Sequence, residues 1–302
     1  MRKVTISTIQ MDIKLGRLKD NVEKAFNLME RAAEGGSNLI VLPEMWPVGF
    51  DYESLGKLPP SYLDDILDLL TDVAGKYKLY IVAGSMCEPE RGKFFNTSYL
   101  IGPSGKPAGK YRKTHLFREI GEADFFTAGD APVCFETSIG KIGIAICYDL
   151  RFPELFRAMA LSGAEMICVP AQFPEPRLSH WQTLLRARAI ENQLFVAASN
   201  RVGRTADTEY FGRSTIIGPY GEVLSEAGGG DSVITETVDI DKMYEVRKVL
   251  PSFSDRRPEV YSNILLENEA PRPSSRILPE FREKDMGTFK FKDTIQPMKP
   301  RK

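Results

Sequence analysis

Histidine is nearly absent from this chain: His115 and His180 are the only two in 302 residues. That scarcity argues against a histidine-rich metal centre. Cysteine is sparse as well. Cys87, Cys134, Cys147 and Cys168 have neither the spacing of a disulfide framework nor that of a zinc site, and they read as reduced thiols. No cofactor or metal is expected. An excess of charge is also missing, since 40 basic and 41 acidic residues leave a net −1. Neither nucleic acid nor an anionic membrane is then the main partner. No apolar run approaches transmembrane length, and no apolar signal segment follows the opening MRKVTISTIQMDIK. The expectation is a cytoplasmic protein acting on a small molecule.

What is present is an alternation of helix and strand patterns. KVTISTIQM reads as a strand by its β-branched alternation. LKDNVEKAFNLMERAAEGG places Leu18, Val22, Ala25, Phe26, Met29 and Ala33 on one helical face, with Gly35 and Gly36 as the stop. NLIVLPE, LYIVAGS, EMICVPA and LFVAASN are short apolar strands, and SYLDDILDLLTDVAGKY is a second amphipathic helix. Two hairpins are predicted, one turning at Pro103 to Gly105 and one through Gly140. Pro153 fits the first turn of a helix running to Gly163, and SHWQTLLRARAIENQ makes another. GRSTIIGPYGEVL and SVITETVDI close the set as strands. Hairpins mixed with helix–strand alternation favour a layered α/β sandwich with mixed sheets over a purely parallel one. One domain is expected over 1–261, then an aperiodic tail, 262–302, disordered or packed on a partner subunit.

Three segments end an apolar or β-like strand with a reactive side chain: LIVLPEMW with Glu44, KYRKTHLF with Lys113, and GKIGIAICYDLRFPEL with Cys147. Taken singly, the glutamate reads as a solvated loop residue, the lysine as surface and the cysteine as a small buried hydrophobe. Taken together they meet one demand. Attack on an amide needs a thiolate, a base to generate it, and a cation or donor for the developing oxyanion.

These three motifs, in this order, resemble the nitrilase superfamily of carbon–nitrogen hydrolases, over residues 3 to about 261. CYDLRFPE, PRLSHW and ENQLFVAASNRVG are most similar to the Nit2-like ω-amidases. The resemblance implies a four-layer α-β-β-α sandwich and a Glu44–Lys113–Cys147 catalytic set. It also implies a homodimer or higher homo-oligomer, pairing through the helix after Pro153 and the one after His180. The implied reaction is hydrolysis of 2-oxoglutaramate or a related 2-oxo acid amide through a thioester, with release of ammonia. Lys113 and the backbone N–H of Tyr148 would face the oxyanion, and Glu44 would shuttle protons. The family often carries a second glutamate after the lysine. FREIGEADFFTAGD offers Glu119 and Glu122; Glu122, seven residues before Gly129, fits the family placement better.

Around this set, Asp149 and Arg151 are expected to form a buried ion pair bracing the nucleophile turn. His180 and Trp181 are candidates to border the pocket. Arg177, in a loop stiffened by Pro174 and Pro176, is the candidate reader of a distal substrate carboxylate. The alternatives are other amide specificities of the same superfamily: deaminated-glutathione amidase, carbamoyl-amine hydrolase or nitrilase. Tyr148 stands where the carbamoyl enzymes tend to have tryptophan. More distant alternatives are a Cys–His hydrolase using His115 or His180, and a non-catalytic binding protein on the same fold.

Overall fold

The computed structural model describes residues 1–261; the tail expected over 262–302 lies outside them. The chain divides into a compact unit, Met1–Leu250, and a second unit beginning at Pro251. The first opens with β1 (Lys3–Gln10), α1 (Leu18–Glu34), β2 (Leu39–Val41), the single turn α2 (Tyr52–Leu55) and α3 (Tyr62–Tyr77). Then come β3 (Tyr80–Val82), β4 (Met86–Glu90), β5 (Lys93–Gly102), β6 (Lys106–Arg112) and the short α4 (Glu122–Phe125). The middle holds β7 (Cys134–Thr137), β8 (Gly140–Ile144), α5 (Pro153–Leu161), β9 (Met166–Ala171), α6 (Leu178–Asn192) and β10 (Phe195–Asn200). The ribbon β11 (Val202–Arg204) and β12 (Glu209–Phe211) follows. After it come β13 (Thr215–Ile217), β14 (Val223–Glu226), β15 (Ser232–Asp239) and α7 (Lys242–Val249).

The strands form two mixed sheets. One runs β15-β1-β2-β3-β5-β4 with β6 also on β5, and the other runs β14-β13-β10-β9-β8-β7. β1 to β3 and β8 to β10 pair in parallel, with antiparallel strands added outside them. The parallel strands are covered on both faces, which explains why LIV, MICVPA and FVAASN are buried at every position. The sheets stack through β1 against β10 and β2 against β9, α1 and α3 cover the first sheet, and α5 and α6 cover the second. This is the α-β-β-α sandwich. Among the described residues, no helix is long and apolar enough to cross a membrane.

The α1 face is rotated slightly from its predicted stripe. Ala25, Leu28, Met29, Ala32 and Ala33 are buried, whereas Leu18, Val22 and Phe26 are partly covered at the margin. The polar exception is Asn21, fully buried at the helix start. Its amide donates to Lys14 O at 2.7 Å and Pro47 O at 3.0 Å, and its Oδ1 accepts from Lys14 N at 2.9 Å. A buried amide satisfied in this way replaces an apolar contact without leaving a polar group stranded.

Close packing at the strand exits bears directly on the site. Gly84, just after β3, has φ +63°, and a Cβ there would lie 2.0 Å from Pro43 O, the residue before Glu44. Both the backbone angle and the space exclude a side chain. Gly84→Ala is expected to destabilise the protein by more than about 1 kcal/mol and to displace the Glu44 exit. Thermal denaturation followed by circular dichroism, with activity assayed on the folded fraction, measures both effects.

Candidate active site

The parallel strands of both sheets deliver their C-terminal ends to one region, the usual location for chemistry in α/β folds. Glu44 follows β2, Gln172 follows β9, Cys147 follows β8, and Lys113 directly follows the antiparallel β6. Lys113 is 1% exposed, so the surface reading of its basic segment does not hold. A buried ammonium needs fixed acceptors. Here its Nζ donates to Glu44 Oε1 at 2.8 Å and lies 2.9 and 2.8 Å from the two oxygens of Glu122. Both carboxylates are completely buried.

Asn96 on β5 completes the cluster. Its Nδ2 donates to Glu44 Oε1 at 3.0 Å and Glu122 Oε1 at 2.9 Å, so one amide bridges both acids. Glu122 also accepts from Phe117 N at 2.8 Å. Glu119 is elsewhere, exposed and paired with Arg177 at 3.0 Å. The structure therefore sets Glu122, not Glu119, on the lysine. Gln172 donates its backbone N–H to Glu44 Oε2 at 3.0 Å and its side-chain amide to Glu44 O at 2.8 Å.

Cys147 is half-buried and has φ +46°. This left-handed backbone, costly for a non-glycine residue, turns the chain sharply out of the strand into a short 3-10 turn, Cys147–Arg151. Its thiol faces the Glu44 carboxylate and the Gln172 N–H. Burial and the negative charge of Glu44 push the thiol well above its ordinary pKa, against the pull of Lys113. Burial likewise raises Glu44, opposed by Lys113 and reinforced by Glu122. Lys113 loses solvation by burial, yet the charges of Glu122 and Glu44 carry its pKa well above the usual lysine value. The resting state pairs a firmly protonated lysine with a neutral thiol and a carboxylate of heightened basicity.

The expected Asp149–Arg151 pair is not formed. Asp149 is buried and turned inward, where it accepts from Tyr111 Oη at 2.7 Å, Ile146 N at 2.8 Å and His115 N at 3.0 Å. The His115 ring Nδ1 lies 2.7 Å from the same carboxylate. A carboxylate is satisfied better by four fixed donors than by one long side chain. Tyr111 and His115 flank Lys113, and Ile146 precedes Cys147, so Asp149 ties the lysine strand to the Cys147 turn. His115 is further fixed by stacking on Phe152 at 3.6 Å.

Arg151 instead lies outward, its guanidinium 5.4 Å from the Phe173 ring and 6.0 Å from Tyr148, with the exposed His180 Nδ1 at 3.4 Å. Trp181, a candidate pocket residue, is fully buried. It packs on Phe173 and Phe211 and donates Nε1–H to Arg213 O at 2.8 Å. Its place is the core. Tyr148 borders a cleft of about 450 Å³ with Phe117, Phe152 and Thr114 among its walls. Arg177 lies over Phe117 at 5.5 Å. Among the described residues, no group of three or more His, Cys, Asp or Glu side chains is placed to hold a metal ion.

The sequence pattern of the carbon-nitrogen hydrolases matches residues 5–248. The chain belongs to the carbon-nitrogen hydrolase family. It is a hydrolase acting on carbon–nitrogen bonds and a member of the nitrilase superfamily. A Bacillus subtilis relative named 2-oxoglutaramate amidase is 38% identical over 259 residues, covering 86% of this chain and 100% of that protein. The Xenopus laevis protein named Omega-amidase NIT2-B is 34% identical over 275 residues, 87% of this chain and 98% of its own. In crystal structures, Saccharomyces cerevisiae Nit3, described as a member of branch 10 of the nitrilase superfamily, superposes with a TM-score of 0.75. It is 29% identical, with 83% of this chain and 95% of Nit3 covered.

Asp149 gives this hydrolase a test of its internal bracing. Asp149→Asn puts an amide where donors converge, and one buried mismatch of this kind costs about 1–3 kcal/mol. The variant should unfold at lower denaturant and lose turnover together, because the lysine and the cysteine lose their common tether. Urea melts and single-turnover rates on the folded enzyme measure the two losses.

Proposed function

We propose that this carbon–nitrogen hydrolase is an amidase of the ω-amidase type, cleaving small carboxylate-bearing amides such as 2-oxoglutaramate. The observation that carries the chemistry is Glu44 placed between the Lys113 ammonium and the Cys147 thiol. The relatives named 2-oxoglutaramate amidase and Omega-amidase NIT2-B support the substrate class.

In this reading Glu44 removes the thiol proton as Sγ attacks the amide carbon. A carbon–sulfur bond forms and the carbonyl electrons move onto oxygen. The oxyanion is met by the charge of the Lys113 ammonium and by the backbone N–H of Tyr148. Glu44 then protonates the leaving nitrogen, the carbon–nitrogen bond breaks, ammonia departs and a thioester remains. Water loses a proton to Glu44 and attacks the thioester; the carbon–sulfur bond breaks and the acid leaves as the thiol is reprotonated. Glu122 and Asn96 hold the lysine and the base in line throughout.

The raised pKa of Glu44 matches this use, because a carboxylate of higher pKa is the stronger base. Only its ionised form can take the thiol proton, so activity should fall as pH drops through that raised value. The acid limb of kcat/KM is expected above 4.5, the ordinary glutamate value. Glu44→Gln should remove the limb together with nearly all turnover. A pH–rate profile with wild type and variant measures both.

A distal carboxylate needs a cation in a fixed orientation. Arg177 is tied to Glu119, an exposed pair of the kind that is worth below about 1 kcal/mol and can be exchanged. Arg151, by contrast, forms no ion pair with a carboxylate among the described residues. It lies on Phe173, next to Gln172 and within four residues of the nucleophile. In this proposal Arg151 takes the carboxylate and Arg177 supports the rim. Arg151→Ala should reduce kcat/KM for 2-oxoglutaramate by about 2–4 kcal/mol in transition-state terms, and Arg177→Ala by much less. A neutral amide of similar length should be nearly indifferent to both. Ammonia-release kinetics over a panel of carboxylate-bearing and neutral amides, ureido compounds and nitriles checks the substrate class and both variants.

A further inference from the structure

Arg201 is 1% exposed, and burying an arginine without a carboxylate beside it is costly. Among the described residues it takes part in no ion pair. Two of its nitrogens donate to neutral acceptors, Nη1 to Gln172 Oε1 at 2.9 Å and Nη2 to Ile13 O at 2.5 Å, while the buried Nε has no hydrogen-bond partner among the described residues. The guanidinium carbon lies over the Tyr210 ring, 4.1 Å from its centre. The ribbon β11–β12 brings Tyr210 there, clamped by a bridge from Tyr210 to Pro174.

The acceptor on Nη1 is the informative one. Gln172 touches Glu44 twice, through its side-chain amide to Glu44 O and through its backbone N–H to Glu44 Oε2. That same N–H faces the Cys147 sulfur. Arg201 also donates its own backbone N–H to Ala171 O at 3.0 Å. Ala171 C=O and Gln172 N–H belong to one peptide plane. Arg201 therefore grips that plane at its carbonyl and the attached side chain at its far end. With both fixed, the N–H has a set direction, toward Glu44 Oε2.

We propose that Arg201 is a positioning residue that acts through Gln172 to hold the Glu44 carboxylate in line with Lys113 and Cys147. The proposal rests on reading Glu44 as the base of the amidase reaction. It assigns Arg201 no contact with substrate, so its effect belongs in the chemical step and not in binding. A planar fork with two donors in fixed directions suits this task better than a lysine, which offers a single point charge.

The test uses Arg201→Met, Arg201→Lys, Gln172→Leu and the double variant Arg201→Met/Gln172→Leu. Arg201→Met should lower kcat roughly 10- to 100-fold, the scale of a small misplacement of a reacting group, with little change in KM. Gln172→Leu should do the same, and Arg201→Lys should restore part of the rate. Because one residue acts through the other, the double variant should be no slower than the slower single variant. A folded Arg201→Met enzyme with wild-type kcat, or losses that multiply in the double variant, would overturn the proposal. If Arg201→Met does not fold, Gln172→Leu decides alone, and wild-type kcat in that variant overturns it.

Alkylation of Cys147 by iodoacetamide needs no substrate, so it separates this proposal from the amidase reading. Slower alkylation in Arg201→Met, with an altered pH dependence, supports the proposal even if the wild type hydrolyses none of the amides. Unchanged alkylation overturns it even if the amidase reading stands.

Discussion

The Lys113 ammonium, held between two carboxylates and out of water, is the interaction on which the rest of the site depends. Removing a charge from water is expensive unless its partners are fixed beforehand. The fold supplies that fixing from both sheets. Glu44 arrives on the first sheet and is anchored by Gln172 from the second. Glu122 arrives on the short helix after Lys113 and is anchored by Phe117 N. Asn96, on the strand beside Lys113, bridges the two acids. Two carboxylates around one ammonium leave a local excess of negative charge. Burial, reinforced by the charge of Glu44, keeps the neighbouring thiol neutral at rest.

The Cys147 turn is built on the same logic of fixed donors. Cys147 tolerates a left-handed backbone because its surroundings determine it fully. Ala145 N still reaches Cys168 O at 3.1 Å, so the sheet continues to within two residues of the turn. Asp149 then ties the turn back to Ile146 and across to Tyr111 and His115. His115, one of only two histidines, is engaged in this brace and stacked on Phe152.

Much of the framework was legible in the sequence because it rests on local signals. The apolar strands, the hairpins at Pro103 to Gly105 and through Gly140, and the Pro153 helix all lie where periodicity and turn residues put them. The strand-end positions of Glu44, Lys113 and Cys147 were equally legible. Residues that depend on register were not. A bulge between Leu100 and Ile101 shifts the β5–β6 pairing by one residue, and Lys113 N then meets Asn96 O at 2.9 Å. Without the bulge Arg112 would stand opposite Asn96, and the alternation of faces would send the lysine outward. Nothing in NTSYLIGPSGKP announces that shift. The Asp149–Arg151 pairing was inferred from proximity along the chain, whereas three of the four real donors come from a segment more than 30 residues away. Gln172 and Arg201 escaped notice because an amide and a buried arginine carry no motif of their own; only the packing of the two sheets shows their use.

The central claim is that Cys147 carries the acyl group of an amide substrate as a thioester. Rapid-quench intact-mass analysis during turnover of 2-oxoglutaramate, followed by peptide mapping, tests it most directly. The account predicts a transient acyl adduct on the peptide containing Cys147, and none when Cys147 is alanine. An adduct on Cys87, Cys134 or Cys168, or undiminished ammonia release by the Cys147→Ala enzyme, would contradict it.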